Sequence, residues 1–169
     1  MFARALVGLI LSASVVPQTL EQLTDRSTHV VHATVTHIAS AREPGPAGIY
    51  TRSTLNVSEW LKGAPLKNVS LRQPGGTIGV ESVELPGDAI LHEGEEVLAF
   101  LRCDVGADHC SLVGLAQGKY HLARDAKGTL QATRDFRQTA FVQGAPLSQG
   151  PESYAALAAR VRAHVGGGK

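Results

Sequence analysis

The side chains able to do chemistry in this chain are two cysteines, seven histidines and scattered carboxylates. Cys103 and Cys110 enclose Asp104-Val105-Gly106-Ala107-Asp108-His109, whose Gly and Asp positions suit a turn. The apolar runs Val97-Leu98-Ala99-Phe100-Leu101 and Leu112-Val113-Gly114-Leu115 flank it, which predicts a β-hairpin pinned by a disulfide. Closing so short a loop would stabilise the fold by about 2.5 kcal/mol if the gain is chain entropy. Free thiols, or a metal held by Cys103, Asp104, Asp108, His109 and Cys110, are the alternatives. The metal reading is disfavoured because zinc sites usually take paired ligands from two separate segments.

The histidines offer a second possible centre. His29, His32 and His37 crowd one stretch, but His29 and His37 would stand roughly 26 Å apart along an extended strand. His32 points to the opposite face, so these three alone cannot surround one ion, and a site would need His92 or His121 from neighbouring strands. The plainer expectation is surface or half-buried histidines with no metal and no cofactor. The usual catalytic patterns are missing: there is no Gly-x-Ser-x-Gly elbow. His92-Glu93-Gly94-Glu95-Glu96 has no second His at the zinc-helix spacing, and Gly75-Gly76-Thr77-Ile78-Gly79 lacks the Lys-Ser/Thr ending of a phosphate loop. Asn56-Val57-Ser58 and Asn68-Val69-Ser70 match the glycosylation acceptor pattern, read here as chance in a composition of bacterial type.

The 169 residues suffice for one domain, and 16 Lys+Arg against 15 Asp+Glu leave a formal charge of +1. That balance lacks the basic excess that nucleic-acid binding requires. Arg4, the apolar run Ala5-Leu6-Val7-Gly8-Leu9-Ile10-Leu11 and the small residues Ser12-Ala13-Ser14 predict a secretory leader over residues 1–14. No other stretch has the ~18 apolar residues of a membrane span. The expectation is therefore a single mature domain over residues 15–169, exported to the periplasm or the extracellular space.

The elements that must position these groups are mostly strands. A short helix is expected from Leu20 to near Ser27, then a strand over Val30 to Ile38 and a loop from Ala39 to Gly48. Ile49 to Trp60 is a long strand with Ile49, Thr51, Ser53, Leu55 and Val57 on its core side. Further strands are expected at Val69 to Arg72, Ile78 to Leu85, the cysteine hairpin, and a hairpin of Lys119 to Ala123 with Thr129 to Thr133. Phe136 to Gly150 carries no clear pattern. Pro151 at a first helical position and the spacing of Tyr154, Leu157, Ala158, Val161 and Val165 predict a C-terminal helix over about 151–165. The pattern is mainly β: an OB-like or related small barrel or sandwich with that helix packed on it.

Several of these segments share a further pattern. Val30-Val31-x-x-x-Val35, Tyr50-Thr51, Val57 and Leu61-Lys62-Gly63 are followed by Gln73-Pro74-Gly75-Gly76, by Gly94-Glu95-Glu96-Val97 with Phe100-Leu101, and by Gly114-Leu115-Ala116-Gln117-Gly118-Lys119-Tyr120. Over about residues 20–123 the chain resembles a group of exported bacterial proteins of unassigned function. Its first third is also similar to the opening of netrin-like, or tissue-inhibitor-of-metalloproteinase-like, domains, which are OB-type barrels. In those inhibitors a mature N-terminal cysteine chelates the protease zinc. Here no cysteine precedes Cys103, so that mechanism does not transfer, and any inhibition would use loops or a strand edge. Gly63, Gly76, Gly94 and Gly118 are expected at turns or positive φ, and Val97 and Phe100 in the core, with one of the two at a bulge or on the wetter side because strict alternation puts them on opposite faces. Lys62, Gln117 and Lys119 are the polar exceptions and the candidate binding residues; pairing with nearby carboxylates or turn backbone is their structural alternative. The functional expectation is a non-enzymatic exported binding module whose partner is another exported protein, a protease among the candidates. An envelope-associated structural role, or small-ligand or metal binding, is the alternative.

Overall fold

The computed structural model describes residues 13–137, 139–141 and 150–168. Of the leader expected over residues 1–14, only Ala13 and Ser14 fall among the described residues. Strand β1 (Ala13–Val15) pairs in parallel with a late strand, Thr139–Phe141. Helix α1 (Leu20–Arg26) opens with a capping box, in which the Thr19 hydroxyl accepts from the Gln22 N–H and the Gln22 side chain accepts from the Thr19 N–H.

Two long strands follow, β2 (His29–Arg42) and β3 (Ile49–Lys62). β2 runs past the expected end at Ile38, because Ala39 to Arg42 pair with Arg52 to Ile49. Cross-strand pairing overrides the weak strand propensity of Ala39-Ser40-Ala41, and the loop shrinks to residues 43–48. After β4 (Val69–Pro74), the expected strand Ile78 to Leu85 is instead a small separate hairpin of β5 (Gly76–Ile78) and β6 (Glu81–Val83), turning at Gly79-Val80. The cysteine hairpin is β7 (Glu96–Cys103) and β8 (Cys110–Leu112), with Cys103 and Cys110 opposite each other and joined by a disulfide.

These strands close on themselves. β7 pairs with β2, β2 with β3, β3 with β4, β4 in parallel with β8, and β8 with β7 again. Numbered within the barrel, the order is 1-2-3-5-4-1, the OB-like arrangement.

β7 has a divided second edge. Leu101 to Cys103 pair with β8, while Glu96 to Ala99 pair with β9 (Lys119–Arg124). The sheet therefore forks and continues through β10 (Leu130–Thr133) to the short β12 (Glu152–Ser153), with β11 (Thr139–Phe141) between them in the chain. A 3-10 turn, Leu115–Gly118, joins β8 to β9. Gly118 takes the turn alternative, without a positive φ. A Cβ there would sit 2.1 Å from the Val113 carbonyl oxygen, so close backbone approach is what requires glycine.

Helix α2 (Tyr154–Gly167) starts three residues later than the expected Pro151, because Glu152 and Ser153 first pair with Ala132 and Gln131. Its stripe Leu157, Ala158 and Val161 packs with Leu23, Leu98 and Phe100 outside the barrel, while Val97, Ala99 and Leu101 face the interior with Val31, Val35, Leu55 and Leu71. β7 is thus buried on both faces, and Val97 and Phe100 are each 0% exposed although alternation puts them on opposite sides. No helix among the described residues is long and apolar enough to cross a membrane.

Candidate functional site

The tract leading into β7 organises a cleft. Gly94 N–H donates to Val35 O and Val35 N–H to Glu95 O, which extends the β2–β7 ladder irregularly by one turn. From this tract three carboxylates reach three histidines. Glu93 meets His37 at 3.3 Å, Glu95 meets His121 Nδ1 at 3.0 Å, and Glu96 meets His32 Nε2 at 2.6 Å. Glu93 also accepts the edge N–H of Ile38 at 2.7 Å.

Glu95 is the hub. Its side chain is 6% exposed and lies 2.5 Å from Lys119 Nζ, and its other oxygen accepts the His92 N–H at 3.1 Å. Lys119 Nζ also donates to Ile90 O at 2.6 Å, so one ammonium ties β9 to both ends of the 90–95 segment. A buried pair with this many partners survives because each charge remains hydrogen-bonded.

The cleft between this segment, the start of β9 and residues 133–137 has a volume of about 820 Å³. His92 and His121 line it, as do Asp88 and the Arg137–Asp135 ion pair. The Asp88 carboxyl lies above the ordinary carboxylate range because burial penalises its charge, with the Ala89 N–H and Gln73 opposing that shift. The Asp135 carboxyl is held at about 2 by its hydrogen bonds from Arg137.

The three candidate binding residues part company. Only Lys119 lines the cleft. Lys62 donates to Thr24 O at 2.6 Å and fastens β3 to the end of α1. Gln117 is 0% exposed and presents no surface; its Oε1 accepts the Gln18 N–H at 2.7 Å and its Nε2 donates to Val16 O at 3.2 Å. Lys62 and Gln117 bond backbone, and Lys119 likewise pairs with a carboxylate and a backbone carbonyl, but it does so in the wall of the cleft. The acidic tract was visible in the sequence as a failed zinc-helix pattern and, at Gly94-Glu95-Glu96-Val97, as part of the resemblance. What it does depends on register, which pairs Glu96 with Thr34 of β2 and with Leu122 of β9.

A second network locks the 43–48 loop. Glu43 receives Arg52 Nε at 2.6 Å and Arg72 Nε at 2.7 Å, which hold its carboxyl down to about 2. Arg72 in turn lies 3.4 Å over the Tyr50 ring. Among the described residues no cluster of three or more His, Cys, Asp or Glu side chains has the geometry of a metal site. No protein-family model matches the chain, and no curated protein matches its sequence.

Proposed function

We propose that the chain is an exported, non-enzymatic binding module that engages another exported protein, a protease among the candidates, through the cleft beside Lys119. The carrying observation is the cleft's construction. Glu95, Lys119 and the backbone of His92 and Ile90 fix one another, so the walls are preformed, and preformed walls cost little ordering on binding. Ile90, 54% exposed, lines the cleft and gives its wall an apolar contact surface beside the charged groups. The Glu95 oxygens are already engaged by Lys119, His121 and the His92 N–H, which favours holding a ligand over turning it over. The Cys103–Cys110 disulfide supports an oxidising compartment, in keeping with the leader-like start.

The test is affinity capture of secreted and envelope proteins by the chain from Val15 onward, with competition by untagged protein. A single competed partner that is lost with Ile90→Asp or His121→Ala supports the proposal. No competed protein at micromolar bait overturns it, and co-fractionation with the envelope would then favour a structural role.

A further inference from the structure

A second opening lies where β3 outruns β4. Leu55 is the last β3 residue paired with β4, opposite Val69, and β3 continues to Lys62 with that edge free of β4. The barrel interior is reached through this gap. Its floor is Leu55 and Val69, both buried, with Trp60 half-buried against the same core cluster. Its rim carries the amides of Asn56 and Asn68, the hydroxyls of Thr36 and Thr54, and the ammonium of Lys67. Asn56 of β3 and Asn68 of the loop before β4, the two asparagines singled out by their acceptor pattern, thus line one mouth.

Three features make this a site rather than a surface irregularity. The volume is about 310 Å³, at the small end of the range for ligand pockets, which favour the mouths of barrels. The loop that forms one wall is fixed: Gly63 turns at φ +85 where a Cβ would meet the His29 ring at 2.4 Å, and His29 Nε2 lies 3.2 Å from Ala64 O. The side chains of Asn56, Asn68 and Lys67 make no hydrogen bond or ion pair among the described residues, whereas Glu95 and Lys119 in the larger cleft are bonded to each other.

The chemistry of the walls selects the ligand. An aromatic face suits a ring with one apolar side. Amides and hydroxyls, each both donor and acceptor, suit a ligand whose groups are both as well. The lining holds no carboxylate and one ammonium, so it fits a neutral or weakly anionic molecule and disfavours a cation. We infer that this mouth is a saccharide-binding site, with a sugar ring stacked on Trp60 and its hydroxyls held by Asn56 and Asn68. This site is separate from the Lys119 cleft, and its test does not depend on a protein partner.

Trp60 is the only tryptophan in the chain, so intrinsic fluorescence reports this site directly. The full mature chain is titrated with N,N′-diacetylchitobiose, cellobiose and maltose, and separately with adenosine and cytidine. At least one disaccharide is expected to shift Trp60 emission saturably at millimolar concentration or below. The double variant Asn56→Ala/Asn68→Ala is expected to weaken that binding about tenfold or more, the loss of one to two hydrogen bonds. Both residues are exposed, so the unfolding midpoint of the variant should match the parent, which separates lost binding from lost fold. No saturable change with any of the three sugars up to about 50 mM, well above weak millimolar affinity, overturns the inference. A response to nucleosides alone, or a sugar response unaffected in the double variant, also overturns it.

Discussion

Gln117 gives the sharpest test of how the fold is held. Its amide substitutes for a neighbouring strand, accepting from the Gln18 N–H and donating to the Val16 carbonyl, and so fastens the extended segment ahead of α1. Gln117→Leu keeps the size and removes both bonds. Two bonds at about 0.5–1.5 kcal/mol each, with a further cost for backbone groups left unpaired, give about 2–3 kcal/mol. At roughly 2–4 °C per kcal/mol for a chain of this size, the thermal midpoint should fall by about 4–12 °C. Calorimetry on the chain from Val15 reads the shift, and limited proteolysis should show earlier cleavage ahead of Leu20. Gln117→Glu adds a check with a sign. It keeps the acceptor for Gln18 but aims a second oxygen at the Val16 carbonyl in a site with no solvent access. Burial raises the pKa of such a carboxyl, so its folded form is the protonated one. The deficit relative to the parent should therefore be large at neutral pH and shrink as pH falls through that raised pKa. A midpoint for Gln117→Leu within about 1 °C of the parent, well under the shift of one hydrogen bond, would refute the clamp.

Other outcomes follow from the same reasoning. The Glu43 carboxyl is held at about 2 in the fold, below its ordinary 4.5, by Arg52 and Arg72. Its contribution is present above about pH 4.5 and is lost as pH falls toward about 2, so Glu43→Gln should flatten the acid limb of a stability-versus-pH curve measured by denaturant titration. Asp88 is the opposite case, with burial raising its pKa. Asp88→Asn keeps an acceptor for the Ala89 N–H and should raise the thermal midpoint at pH 7, with the gain vanishing in acid once the parent carboxyl is protonated. Reducing Cys103–Cys110 should cost about 2–3 kcal/mol in denaturant titration, from the short loop it closes.

Much of the barrel was legible because its signals are local. β-branched and alternating residues mark β2 and β3; of the expected core side of β3, Ile49, Ser53 and Leu55 are buried and Thr51 and Val57 half-buried, while Tyr50 of the other face is buried too. The short helix beginning at Leu20 and the apolar stripe of α2 were readable for the same reason. What could not be read was anything set by pairing. The end of β2 at Arg42 exists only because β3 is there to meet it, and α2 begins at Tyr154 because β10 holds the two residues before it. β7 illustrates the middle ground. Its unbroken run Val97-Leu98-Ala99-Phe100-Leu101 is the pattern of a strand covered on both faces, and giving that run its full weight would have placed Val97 and Phe100 in two cores at once.

The two openings of the barrel differ in a way that separates architecture from recognition. Around Glu95, opposite charges from the 90–95 segment and β9 spend their bonds on one another, and the result is a shape. A partner there must read contour and the apolar rim at Ile90 more than the charges, because the Lys119 ammonium is 12% exposed and already paired. Around Trp60, the amides of Asn56 and Asn68 make no hydrogen bond among the described residues, and the neighbouring turn is set by Gly63 and His29. Such groups gain when a ligand replaces water at fixed geometry, since neither must break a protein bond to do so. Changes at the two openings should accordingly fail differently. Removing Lys119 or Glu95 should loosen the 90–95 segment and cost stability together with binding, because an unpaired buried charge is left behind. Removing Asn56 or Asn68 should cost binding alone. A protein-capture defect in Lys119→Met without any loss of stability would mean that the ammonium contacts the partner directly, and the view of Glu95 and Lys119 as scaffolding would have to be abandoned.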